Sequence, residues 1–328
     1  MALLQREGIS SMAYPQWVID GIIPAESVSM VYGPSGKGKS FWQLDQAACV
    51  ATGRKWNGRA VQQGPVVYVA GEGKSGYKAR LEAWERQHRV RADNFWLYDE
   101  PVRLWSRDGN RNSMARFIDE VNGANIRPRY IVLDTLATCL GGANENDNGH
   151  MRELLDSAEE LGRQWDSAIT LVHHAGKSES SRTPRGAQAL ADGVAMHAYM
   201  HGDGRTWGVL DCTKQKDGDP FETIRRTLHT VDLGKGAASL AFADELKTGP
   251  REKKRRVSWR EVRQLLQGAG IPMTPSLVAA ALDWDRKAAG QALREAAQRG
   301  EVYQPDEGSG AYALVPGYTP NLADLATK

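Results

Sequence analysis

The sequence predicts an α/β protein: a core on a mostly parallel sheet, then a small separate C-terminal domain. Three observations carry this. Short apolar, β-rich runs alternate with helical stretches over the first two thirds of the chain. A glycine-rich run, Gly33-Pro34-Ser35-Gly36-Lys37-Gly38-Lys39-Ser40, lies between a predicted strand and a predicted helix. The composition shifts at 248–257, where Thr-Gly-Pro leads into Arg251-Glu252-Lys253-Lys254-Arg255-Arg256. At roughly 100–200 residues per domain, a chain of 328 residues holds about two domains.

In chain order, Val28–Tyr32 reads as a buried strand. Phe41–Thr52 follows as a helix closed by Gly53. Val66–Ala70 reads as a strand, Lys78–His88 as a helix and Phe95–Tyr98 as a strand. Asn112–Asn122 reads as a helix, Tyr130–Asp134 as a strand, Met151–Asp166 as a helix and Ala168–Val172 as a strand. Met196–Met200, Trp207–Thr213 and Thr223–Val231 suggest a β extension of the same sheet. Beyond the basic run come helices at 258–268, 274–282 and 285–299. Two short β runs follow at 302–304 and 311–315, a winged-helix pattern. The expected division is a core domain at 1–247, a linker at 248–257, a winged helix at 258–315 and a tail at 316–328.

Hydrophobic residues make up 41% and charged residues 25%, as in a soluble globular protein. No apolar run approaches the ~18–20 residues that span a bilayer. Arg6 and Glu7 stand where a signal peptide would be apolar, so a cytoplasmic protein is expected. The three cysteines, Cys49, Cys139 and Cys212, are widely spaced and form no CxxC pair, which argues against a zinc site or a disulfide framework. The net charge of +2 does not select nucleic acid, so a basic partner surface would be local.

The run Gly33–Ser40 matches GxxxxGK[ST] in the strand–loop–helix context that gives the pattern meaning. Backbone N–H groups there present positive partial charge to phosphate oxygens. Lys39 is expected to reach the β/γ-phosphates and Ser40 to ligate Mg²⁺. Lys37 fills a variable position. ATP and Mg²⁺ are the cofactors this implies. Asp134 ends an apolar strand at the sheet edge that faces a nucleotide, where a carboxylate holds Mg²⁺. Glu72, between Gly71 and Gly73 after the second strand, is placed to activate water. His173 and His174 are adjacent in an extended segment and point to opposite sides, a poor metal pair. His174 reads instead as a γ-phosphate sensor.

Two loops are candidate DNA contacts. The first, 141–149, is polar and not basic. The second, 177–186, carries Lys177, Arg182 and Arg185, which can neutralise phosphates. Lys214 and Lys216 are two apart on an extended segment and share a face. They are placed to enter a neighbouring subunit's site and offset γ-phosphate charge.

Together these pieces resemble the RecA-like ATPases, specifically the hexameric helicase branch of DnaB and plasmid RepA type common in phages and plasmids. The resemblance spans about Trp17 to Leu233. It includes Trp17–Pro24, Ala51-Thr52-Gly53, Gly71-Glu72-Gly73 and Val172–Lys177. It implies Glu72 as general base, Asp134 as the Walker B carboxylate, His174 as sensor, and Lys214 and Lys216 as trans-acting residues. Ring helicases usually have an arginine at the trans-acting position; two lysines are the recombinase pattern. The implied function is a DNA-dependent ATPase motor, a homo-oligomeric ring (hexamer favoured) translocating on single-stranded DNA in replication or repair. The alternatives are a recombinase-like filament ATPase and an ATP-gated DNA-binding or loading module.

Overall fold

The structure is a computed structural model that describes residues 5–71, 73–105, 111–176, 183–186, 188–243, 257–282, 284, 286–306 and 310–316. The chain divides into two units, Met1–Leu246 and Lys247–Lys328. The basic run 251–256 and the residues after 316 lie outside the described residues.

The first unit opens with α1 (Arg6–Ser10), β1 (Trp17–Ile19), β2 (Ile23–Pro24) and β3 (Val28–Gly33). Next come α2 (Lys39–Thr52), β4 (Val66–Ala70), α3 (Tyr77–His88), β5 (Phe95–Tyr98), α4 (Arg111–Gly123) and β6 (Tyr130–Asp134). Then follow α5 (Leu136–Cys139), α6 (Asn148–Arg163), β7 (Ala168–His174), α7 (Gln188–Gly193) and β8 (Met196–Gly202). The unit closes with β9 (Trp207–Gln215), β10 (Ile224–Gly234) and β11 (Ala237–Phe242).

Nine strands form one sheet in the order β11-β10-β9-β8-β3-β7-β6-β4-β5. From β8 to β5 all pairings are parallel, and β8 to β11 continue the sheet antiparallel. The central strands are continuous apolar runs because helices cover both faces. Along β4, Val66, Tyr68 and Ala70 join one core with α2 and Trp84 of α3, while Val67 and Val69 join the other with Phe117 of α4 and Leu154 of α6. The two-residue period of a strand thus distributes one segment between two cores.

Several boundaries differ from the sequence reading. α2 starts at Lys39, two residues before Phe41, because Gly38 turns the chain with φ 87°. α6 starts at Asn148, three residues early: the Asp147 side chain accepts the His150 N–H at 3.0 Å and caps it. That removes Asn148 and Gly149 from the expected 141–149 loop. β7 runs on to His174, so both histidines belong to the strand. α1, β1, β2, α5, α7 and β11 were not anticipated. Each is short or has a sequence that also reads as a loop. No helix among the described residues is long and apolar enough to cross a membrane.

The second unit has α8 (Trp259–Ala269), α9 (Pro275–Ala281), α10 (Arg286–Gln298) and an antiparallel pair, β12 (Val302–Tyr303) with β13 (Ala313–Leu314). A reciprocal capping box between Ser258 and Glu261 starts α8. Thr274 caps α9, with Pro275 at the position where a missing N–H costs nothing. Val262, Leu266, Val278, Ala289, Leu293, Ala296 and Val302 form its own core.

Candidate active site

The glycine loop joins the carboxyl end of β3 to the amino end of α2. Here β3 has β7 on one side and β8 on the other, the crevice position for a ligand in an open α/β sheet. Gly33 closes β3 against β8, and a Cβ built on it would strike the Met200 carbonyl oxygen. Gly36 and Gly38 have φ of 72° and 87°, which a side chain would strain. Pro34, Ser35 and Lys37 fill the loop between them.

Lys39 is 6% exposed although it carries an ammonium. Its Nζ donates to the carbonyls of Gly33 (2.9 Å) and Pro34 (2.8 Å). Burial lowers its pKa to about 8, and the nearby Asp134 charge opposes that shift. Ser40 sits one residue further along α2, at the same helix amino end.

Asp134 ends β6 with 3% exposure. Its Oδ2 accepts two phenolic hydrogens, from Tyr68 at 2.7 Å and Tyr77 at 2.9 Å. Its Oδ1 is buried without a hydrogen-bond partner among the described residues. A buried carboxylate oxygen left this way is costly unless something fills the position. The residues fit Mg²⁺: Asp134, whose charge is felt at Lys39, and the Ser40 hydroxyl next along α2 are the groups that would hold it.

Glu72 lies outside the described residues. Its neighbour Gly71 donates N–H to the Asp134 carbonyl at 2.7 Å, which fixes where that loop leaves β4. His174 is in register with Gly33 across the β3–β7 ladder, and the next N–H, of Ala175, bonds the Gly33 carbonyl at 3.1 Å. His173 points the other way. It is buried, its Nε2 lies 2.7 Å from the Arg185 carbonyl oxygen, and burial lowers its pKa.

Arg185 is ion-paired with Glu145, so it ties the two candidate DNA loops to each other. Lys177 and Arg182 lie outside the described residues. Lys214 and Lys216 are far from their own glycine loop. β9 runs antiparallel to β8, so Lys214 pairs with His197 near the amino end of the parallel strands. The Lys214 Nζ donates to the carbonyls of Ala191 (2.8 Å) and Asp192 (2.6 Å), and the Lys216 Nζ to Gly193 (2.7 Å). Both ammoniums cap the carboxyl end of α7, where a helix carries negative partial charge.

The sequence reading missed three contributors. Tyr68 lies inside a predicted strand and Tyr77 just before the predicted helix Lys78–His88, and that reading gives neither a role. The β8–β9 turn was unmarked, yet a Cβ on Gly204 would strike the Gly36 carbonyl oxygen. Asp203 organises that turn by accepting N–H groups of Arg205, Thr206 and Trp207. An Asp-Gly pair between two strands was the available signal.

A glycine loop feeding a buried lysine, with a strand-end carboxylate beside it on a mostly parallel sheet, defines a P-loop ATPase. A family model described as AAA domain matches residues 2–180, more than half of the chain. The chain belongs to that family and is built to bind and hydrolyse ATP.

Proposed function

We propose that the chain is a DNA-dependent ATPase motor with a RecA-like core, a ring-forming helicase of the DnaB and plasmid RepA type that moves on single-stranded DNA. The observation that carries this is the placement of Lys214 and Lys216. They sit at the end of the sheet opposite their own glycine loop, where their Nζ groups cap α7; in the ring reading they leave those carbonyls to meet a neighbouring copy's γ-phosphate. A γ-phosphate charge at a subunit junction is the chemistry two such cations serve.

Within one subunit, Lys39 binds phosphate at the amino end of α2. Glu72 orients the attacking water and His174 reads the γ-phosphate from beside Gly33. Ser40 and Asp134 would hold Mg²⁺, which would supply positive charge to the phosphates. The 177–186 loop, with Lys177, Arg182 and Arg185, follows His174 directly and is the part that grips DNA. The Arg185–Glu145 pair makes Arg185 the weaker contact of the three.

The second unit we read as a winged helix. Residues 258–315 contain six basic and seven acidic side chains, so its charge does not favour nonspecific DNA binding. That leaves the core as the DNA-gripping part. A recombinase-like filament is the second reading, favoured by the lysine pair.

The test is ATP turnover without DNA, with single-stranded DNA and with blunt duplex. Stimulation by single strands only is the expected result. Equal rates in all three would remove both motor and filament and leave an ATP-gated binding module. Where single strands do stimulate turnover, unwinding without strand exchange separates helicase from filament.

A further inference from the structure

We propose that Tyr77, together with Tyr68, is a positioning residue that locks the Asp134 carboxylate so that Oδ1 alone is presented to a divalent cation. The inference rests on the ATPase reading above and deepens it.

An aspartate carboxylate rotates about a broad torsion, so its orientation is set by its partners. Here both partners fall on one oxygen. Tyr68 and Tyr77 donate to Oδ2 at 2.7 and 2.9 Å, while Oδ1 is buried with no hydrogen-bond partner among the described residues. One oxygen is saturated and the other reserved. The donors come from separate elements, Tyr68 from the middle of β4 and Tyr77 from the first position of α3. Rotation of the carboxylate would break both bonds at once.

The two tyrosines are packed in place: their ring centroids lie 5.1 Å apart, and the ring of Tyr68 stacks on Phe95. The Tyr77 ring is itself held. The Arg80 guanidinium lies 4.9 Å from its centroid and 5.0 Å from that of Phe41 on α2. The helix that opens with Lys39 is thereby linked through Arg80 and Tyr77 to the carboxylate. Tyr77 also ends the short segment that carries Glu72, whose Gly71 is bonded to the Asp134 backbone. Its hydroxyl bonds the carboxylate itself, so its role is to position.

Tyr77→Phe keeps the ring and deletes one donor. The experiment measures binding of a fluorescent ATP analogue to the full chain, without Mg²⁺ and across a Mg²⁺ titration. Affinity without Mg²⁺ is expected to stay at the wild-type value. The Mg²⁺ concentration for half-maximal tightening is expected to rise about tenfold, the low end of what partners of metal ligands usually contribute. Turnover at saturating Mg²⁺ recovers most of its wild-type rate, because the carboxylate remains. A residue that only packs would change the thermal melt and leave the Mg²⁺ requirement untouched. An unchanged Mg²⁺ midpoint in a folded Y77F protein overturns the proposal. Tyr68→Phe removes the other donor and decides in the same terms if Y77F does not fold. Asp134→Asn is run alongside. Wild-type Mg²⁺ dependence in D134N would instead sink the assignment of Asp134 as the cation ligand. Lost dependence in D134N with an unchanged Y77F sinks the positioning role alone.

Discussion

Gly33 shows how much one hydrogen atom in place of a methyl can matter. A glycine-rich loop announces itself in the sequence, but its pattern says only that glycine stands first. The structure supplies the reason: β8 passes so close that a Cβ would strike the Met200 carbonyl oxygen. The neighbour is backbone in a sheet and has little room to yield. Overpacking of this kind costs about 1–3 kcal/mol, so Gly33→Ala should lower ATP affinity about tenfold or more and reduce the melting temperature. Wild-type affinity by titration calorimetry would show that β8 gives way. The tyrosines on Asp134 were less legible. Tyr68 sits inside an apolar strand and Tyr77 at a helix start, positions that packing alone accounts for. Only their convergence on one carboxylate oxygen, from residues 66 and 57 positions away along the chain, reveals the site.

At the level of elements, α2 is held by a charge as well as by apolar packing. Asp45 is 1% exposed and accepts the indole N–H groups of Trp56 (2.8 Å) and Trp84 (2.9 Å). It is also ion-paired with the buried Arg226 of β10, and the His88 Nε2 of α3 lies 3.7 Å away. Burial alone would raise the carboxyl pKa. The Arg226 charge and hydrogen bond, with the His88 ring close by, more than offset this, and the value falls to about 2 from 3.8. A folded pKa below the unfolded one means that the charged form stabilises the fold. That contribution is full above about pH 4 and is lost as pH falls toward 2. Asp45→Asn leaves Arg226 buried without its counter-charge, which costs about 3–5 kcal/mol. Urea unfolding at pH 7 should show that loss, and the variant's stability should change less than the wild type's between pH 4 and 2. Equal stability of the two proteins at pH 7 would refute the account. The sequence could not disclose this hub, because its members come from four separate segments. It did disclose β3, β4, β6 and β7, since strands covered on both faces must be apolar throughout. It hid β11, whose Ala-Ala-Ser start reads as loop and whose place depends on pairing with β10.

At the scale of the whole molecule, β9 spans the sheet from edge to edge. It starts at Trp207, beside the turn that packs on the glycine loop, and leads to Lys214 and Lys216 at the far side. The trans-acting role proposed for those lysines is open to a mixing experiment. Lys39→Ala subunits lack a working phosphate site but carry both lysines. Subunits with Lys214→Ala and Lys216→Ala have the reverse defect. Each preparation alone should be inactive, and mixing the two should restore part of the turnover. Two folded preparations that stay silent when mixed would sink the role.

The proposed trans-acting role also sets a rule of counting: under it every competent centre is assembled from two chains. A closed ring has as many centres as subunits, an open row has one fewer, and a single chain has none. Turnover per subunit then climbs with protein concentration, and dilution by itself becomes an off switch.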